Sequence, residues 1–416
     1  MERCVTSNQQ LATSNPKLAT SNLFQSYKGG PPMICDLDTC IDRRCTESSK
    51  WRHYGPDVLP MWVADMDFPS PEPVVRALRE RVEHGIYGYG IEPVELREVL
   101  VERLQQLYGW QVSPEAFVFL PGVVVGLNLA CRALALPGEG VLVQTPVYPP
   151  VLRAHTHAGL TGDEMELTRE PDGRYTVDWE AFERAITPRT RLFALCNPHN
   201  PVGRVFESGE LERMAAIGLR HDLFICSDEI HCDLLFPGHP HRPIASLSAE
   251  VEARTVTLMA PSKSYNIAGL HCAFAVIPNP ELRARYTAAR CGLVGSPSIL
   301  AYAAALAAYR DGEPWLTEVL RYLEANRDLL RQYAAEHLPG IGVGPVEGTY
   351  LAWLDCRGAG LAESPHAFFL RQARVAVNDG LDFGRGGEGF VRLNFGCPRS
   401  QLIEALERMA AALAGL

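Results

Sequence analysis

Lysine is almost missing from this 416-residue chain: after Lys50 the single lysine is Lys263, although arginine is spread through the same stretch. Arginine stays protonated at physiological pH, whereas a lysine withdrawn from water can lose its proton and become a nucleophile. Any chemistry that needs a side-chain amine between Trp51 and Leu416 therefore falls to Lys263. No uninterrupted apolar run approaches the roughly 18 to 20 residues of a membrane-spanning helix, and no basic-then-apolar signal peptide opens the chain. The expectation is a cytoplasmic protein with no membrane partner. A broad positive field is lacking too, because the net charge is −10 and the arginines lie dispersed among acids. That argues against nucleic acid as a partner. The twelve cysteines contain no C-x-x-C pair, so neither a zinc knuckle nor a redox dithiol can be read locally. Cys35, Cys40 and Cys45 are evenly spaced, but the spacing does not match a ferredoxin cluster. The H-x-H pairs, His155 with His157 and His239 with His241, lack acidic or cysteine partners at ligand spacing and read as surface or loop histidines. No metal is expected.

What is present is an ordinary globular composition with 47% apolar residues, enough for about two to three domains. Residues 1–32 are polar and carry LATSN twice, which reads as a disordered leader or an expression remnant. Dense patterning begins at Met33. Short β-rich runs at 117–120, 141–145, 191–196, 223–227, 255–259 and 272–277 alternate with amphipathic stretches such as 126–136 and 208–219. This alternation predicts an α/β fold with a mostly parallel sheet covered on both faces. The large domain is expected over residues 73–310. A long helix over 314–337, strands near 350–354 and 390–394, and a terminal helix from Ser400 predict a smaller α+β domain over 311–416, joined by residues 33–72.

In an open α/β sheet the ligand sits at the carboxyl ends of the strands, and the notable polar residues fall there. The run at 223–227 leads into Asp228, whose carboxylate can hold a charged ring nitrogen. The next run leads into Ala260-Pro261-Ser262-Lys263-Ser264-Tyr265-Asn266. An earlier one leads into Asn197-Pro198-His199-Asn200-Pro201, where two prolines forbid continuation as strand or helix.

These motifs, in this order and spacing over residues 33–416, resemble the fold-type I pyridoxal-phosphate enzymes, the aspartate aminotransferase superfamily. The resemblance implies pyridoxal 5′-phosphate as cofactor, Lys263 as the lysine that carries it, Asp228 as partner of the pyridinium nitrogen and Asn200 as partner of the ring 3-oxygen. A buried carboxylate favours the protonated ring that an electron sink requires. Three strings narrow the likeness: Leu59-Pro60-Met61-Trp62-Val63-Ala64-Asp65-Met66-Asp67-Phe68-Pro69, Gly85-Ile86-Tyr87-Gly88-Tyr89 and Val391-Arg392-Leu393-Asn394-Phe395. With Asp228-Glu229-Ile230-His231 they are similar to the cystathionine β-lyase branch of MalY/PatB type.

That branch implies further roles. Gly122, Val123 and Val124, between a strand and a helix, would cradle the cofactor phosphate, with Ser262 beside the lysine. Tyr148 would stack on the ring, Arg392 would clamp the substrate carboxylate, and Val63 and Ala64 would border the substrate. Tyr89 would reach the phosphate of a neighbouring subunit, which implies a homodimer with shared sites. His231 stands where many aminotransferases carry a tyrosine, and His271 where many carry a basic phosphate ligand. Cys45 and Val151 replace an expected glycine and aromatic residue, which bears on pocket size.

The implied reaction is β-elimination from an S-substituted L-cysteine, with Lys263 as base, giving a thiol, pyruvate and ammonia. The same site could instead run transamination, or bind the cofactor as a regulator without turnover. No DNA-binding domain precedes the fold, which speaks against the regulator.

Overall fold

The computed structural model describes residues 36–416; the expected leader at 1–32, with Met33 and Cys35, lies outside them. Seven strands build the central sheet: β1 (Phe117–Leu120), β2 (Gly140–Thr145), β3 (Thr161–Glu166), β4 (Thr190–Cys196), β5 (Phe224–Asp228), β6 (Thr255–Met259) and β7 (Ala273–Val276). Their order is β1-β7-β6-β5-β4-β2-β3. Only β7 runs antiparallel to its neighbours; every other adjacent pair is parallel.

The strands read as continuous apolar runs because both faces are covered. Along β4, Leu192, Ala194 and Cys196 join the core that holds Val123 and Leu127 of helix α1 (Val123–Leu134). Phe193 and Leu195 point the other way, into the core that holds Leu211 and Met214 of helix α2 (Ser208–Arg220). The alternation follows the strand period of two.

Strand β3 has no counterpart among the runs expected from the sequence. Its segment, Thr-Gly-Asp-Glu-Met-Glu, pairs only with β2 and buries a single residue, Met165. Such an edge strand carries no apolar signature. Strand β5 extends one residue further than expected, so Asp228 belongs to the ladder itself and pairs in register with Cys196.

A second, antiparallel sheet contains β8 (Gly342–Val343), β9 (Leu351–Asp355), β10 (Asn378–Asp379) and β11 (Phe390–Asn394), in the order β8-β9-β11-β10. Helix α3 (Glu313–His337) packs against helix α4 (Arg399–Leu413) beside it. Leu59–Pro60 pairs in parallel with Val375–Ala376. The backbone of Met61 then bridges Ala376 and Asn394, at 2.8 and 2.9 Å. This pairing lays residues 61–67 along β11, opposite the carboxyl ends of the central strands. Among the described residues no helix is long and apolar enough to cross a membrane.

Candidate active site

The parallel register aligns Cys196 with Asp228 and Asp228 with Leu258. The segments that follow β4, β5 and β6 therefore emerge along one edge, and Asn200, Asp228 and Lys263 converge there. Lys263 sits on a single helical turn, Pro261–Ser264, behind the proline that starts it. All three line a cavity of about 400 Å³, together with Ala64, Gly122 and Tyr148. A more open groove of about 660 Å³ runs past Arg97, Arg290 and Tyr302, and none of the expected site residues lines it.

The Lys263 Nζ donates to the carbonyl oxygen of Ala64 at 2.5 Å. The same oxygen accepts from Tyr350 Oη at 2.9 Å. Burial pushes the Lys263 ammonium down to about 8, and the Arg392 charge acts in the same direction. Burial also pushes the Asp228 carboxyl up to about 6, against a hydrogen bond from the Ile230 N–H. His231 is held well below the usual imidazole range by burial and by the positive charges of Lys263 and Arg392, so its ring is neutral. Burial lowers the Arg392 guanidinium to about 10.

Arg392 reaches the site from β11. Its Nη1 donates to Asn200 Oδ1 at 2.9 Å, and its Nη2 donates to Trp62 O at 3.1 Å and Asn378 Oδ1 at 2.6 Å. The guanidinium lies 5.0 Å from the Phe383 ring centroid.

The site fits pyridoxal phosphate on three counts. Gly122 precedes helix α1 without a side-chain cap, and a Cβ there would meet nothing within 4 Å. Open N–H groups at a helix start are an anion site. Among the described residues, His231 Nδ1 and Arg392 Nε are buried without a partner, as expected of groups that wait for a polar ligand. Asp228, only 4% exposed, has no cation hydrogen-bonded to it among the described residues and suits a ring N–H.

The other expected residues divide. Val123, Val124, His231, Ser262 and His271 line the cavity. Val63 does not; its carbonyl accepts from Asn394 Nδ2 at 2.5 Å. Tyr89 is fully exposed and away from the cavity of its own chain. Cys45 is exposed, and Val151 is packed in the core, so neither borders the cavity.

Sequence reasoning missed the supports. Tyr350 and Asn378 touch Ala64 and Arg392 from positions with no motif. Lys50 is 1% exposed and bonds Asp67 at 2.7 Å, and Arg43 bonds Asp65 and Asp67 at 2.8 and 2.6 Å. This network pins the 61–67 segment. His241 corrects half of an expectation: it lies in an irregular segment between elements, as a loop residue does, but it is buried against Glu229 rather than at the surface. The partner stands twelve positions away in sequence, outside any local ligand pattern.

Comparison with known proteins agrees with this geometry. The model of the family described as aminotransferase class I and II matches residues 56–409. Cystathionine beta-lyase PatB of Bacillus subtilis (strain 168) is 40% identical over 387 residues, covering 91% of this chain and all of that one (100%). The crystal structure of OvoB superposes with a TM-score of 0.88 at 45% identity, covering 92% of this chain and 100% of that one. Cystalysin from Treponema denticola, whose structure contains pyridoxal 5′-phosphate, gives a TM-score of 0.88 at 32% identity, covering 92% of this chain and 100% of that one. The carboxylate, lysine and arginine gathered at one sheet edge thus sit in a known frame, and the chain belongs to the class I and II aminotransferase family.

Proposed function

We propose that this chain is a pyridoxal-phosphate-dependent carbon–sulfur β-lyase that cleaves cystathionine or another S-substituted L-cysteine to a thiol, pyruvate and ammonia. The observation that carries the reading is the cavity in which Lys263, Asp228, Asn200 and, through Asn200, Arg392 come together. The likeness to a cystathionine β-lyase over 91% of the chain supports the choice of reaction.

Bound there, pyridoxal phosphate supplies an aldehyde and an electron-withdrawing ring that stabilises negative charge on the substrate's Cα. The N–H groups that follow Gly122, in Val123 and Val124, and the Ser262 hydroxyl would hold its phosphate. Asp228 would face the ring nitrogen, Tyr148 the ring plane, and Asn200 and neutral His231 the ring's polar edge. Arg392 binds the α-carboxylate through its planar fork and orients the Cα–H bond. The Nζ of Lys263, kept partly unprotonated by burial, takes the Cα proton. Loss of that proton drives out the β-sulfur as a thiolate, and the remaining aminoacrylate, once released, takes up water to give pyruvate and ammonia.

Residues 73–310 act as the cofactor domain, and residues 33–72 join 311–416 as the smaller one; the pairing of Leu59–Pro60 with Val375–Ala376 supports this division. The enzyme works as a homodimer in the cytoplasm. Support for a second copy comes from one exposed segment that carries Ile86, Tyr87, Tyr89 and Ile91, an apolar patch of the kind subunits cover.

The test is to mix the holoenzyme with L-cystathionine and a panel of S-substituted cysteines, without any oxo acid, and to follow pyruvate and free thiol together. Equal release of both over many turnovers supports the lyase. Consumption of amino acid only when an oxo acid is added would make the enzyme an aminotransferase.

A further inference from the structure

Glu229 is fully buried beside Asp228, yet no step above uses it. Its Oε1 accepts from Ser227 Oγ at 2.9 Å and from the Ile244 N–H at 3.3 Å, and its Oε2 lies 2.8 Å from His241 Nε2. The state of His241 follows from its other nitrogen. Asn197 Oδ1 accepts from the Phe206 N–H at 3.0 Å, so the Asn197 NH₂ group is what faces His241 Nδ1, at 3.5 Å. Nδ1 must therefore accept, and the ring proton sits on Nε2 and is donated to Glu229. Three donors, from Ser227, His241 and Ile244, face the carboxylate.

The same cluster joins the two segments that flank the cavity. The Asn197 N–H donates to Asp228 O at 3.0 Å, and Asn200 follows three residues later. Glu229, His241 and Asn197 thus tie the end of β4 to the end of β5 from behind.

We propose that Glu229, held by His241, is a positioning residue that fixes Asp228 and places a second negative charge behind it, so that the site selects a protonated ring nitrogen in its cofactor. The proposal rests on the reading that Asp228 faces that nitrogen. A merely structural Glu229 would affect any ligand of the cavity alike. A charge behind Asp228 affects only a ligand with a proton to hold.

The test compares dissociation constants of pyridoxal phosphate and of 1-deazapyridoxal phosphate, which carries C–H in place of the ring nitrogen. Wild type is expected to prefer the nitrogen ring. Glu229→Gln should lose about fivefold of that preference while its affinity for the deaza compound stays the same, the scale of one removed neighbouring charge. Glu229→Asp, which keeps the charge, should retain most of it. If Glu229→Gln does not fold, as judged by its circular dichroism melt, His241→Phe removes the donor from Glu229 and should lower the preference in the same direction. Asp228→Asn separates the two ideas. Unchanged preference in Asp228→Asn overturns the reading of Asp228 itself. Lost preference in Asp228→Asn, with equal weakening of both ligands in the Glu229 and His241 variants, overturns this proposal alone.

Discussion

Arg392 and Asn200, 192 positions apart in the chain, meet through a 2.9 Å hydrogen bond on the edge of the cavity. With Trp62 O and Asn378 Oδ1 on its other terminal nitrogen, the guanidinium is held in one orientation before any substrate arrives. A fork so held suits a planar carboxylate, and a lysine ammonium cannot replace it. Arg392→Lys is expected to raise KM for the amino acid about 100-fold with a smaller change in kcat, the scale of a lost buried charge pair. Steady-state pyruvate release measures both, and a KM unchanged in the variant would remove Arg392 from the substrate's carboxylate.

Lys263→Ala removes the one amine that lines the cavity among the described residues. Loss of the visible absorbance band of lysine-bound cofactor is expected, with turnover falling to background and the circular dichroism melt retained. A variant that keeps both the band and pyruvate release would show that another group carries the cofactor.

Reconstitution should depend on pH through Lys263, because only the unprotonated amine adds to an aldehyde. Burial lowers this ammonium to about 8, so the rate of cofactor uptake by the apoprotein is expected to rise through about pH 8 and level off above it. Stopped-flow absorbance across roughly pH 6.5 to 11 checks this, spanning both the lowered and the ordinary lysine values. A rise that begins only near the ordinary lysine value would show that the amine is not desolvated.

Asp228 gives a prediction about stability. Its carboxyl is raised by burial from 3.8 to about 6 in the folded apoprotein, so the fold favours the protonated form. That contribution is fully present below 3.8 and is lost as pH rises to about 6, which leaves the charged group as a burden at neutral pH. Asp228→Asn should stabilise the apoprotein at pH 7 by about 2 to 3 kcal/mol while weakening cofactor binding. Thermal melts with and without cofactor separate the two effects, and an apoprotein destabilised by the change would contradict the desolvation argument.

Tyr89→Ala tests the shared site. If a second copy presents Tyr89 to the phosphate, the variant should bind cofactor about tenfold more weakly and still sediment as a dimer, the size of a lost hydrogen bond to a charged group. Unchanged affinity would leave Tyr89 outside the site.

Much of this arrangement was legible in the sequence because its parts are local strings. Asp228, Lys263 and Asn200 each follow a β-rich run, and the sheet's parallel register alone brings them together. What escaped is non-local. Lys50 with Asp67, His241 with Glu229, and Asn378 with Arg392 are pairs in which neither member has a periodic or motif-like neighbour that points to the other. Burial turns them into obligatory partners, and burial is a property of the folded chain. Strand β3 escaped for the opposite reason: at the sheet's edge only Met165 is buried, so polar residues suffice at its other positions.

The scarcity of lysine acquires a practical meaning from where the two described lysines lie. Lys50 is sealed at 1% exposure between two aspartates, and Lys263 lines the cavity. Acylating reagents that label amines would thus find, among the described residues, one target, and occupancy of the cavity would mask it. Mass-spectrometric footprinting of that single amine becomes a direct gauge of how much of a preparation is loaded, and lysine acetylation of the folded described region would silence the enzyme rather than decorate its surface.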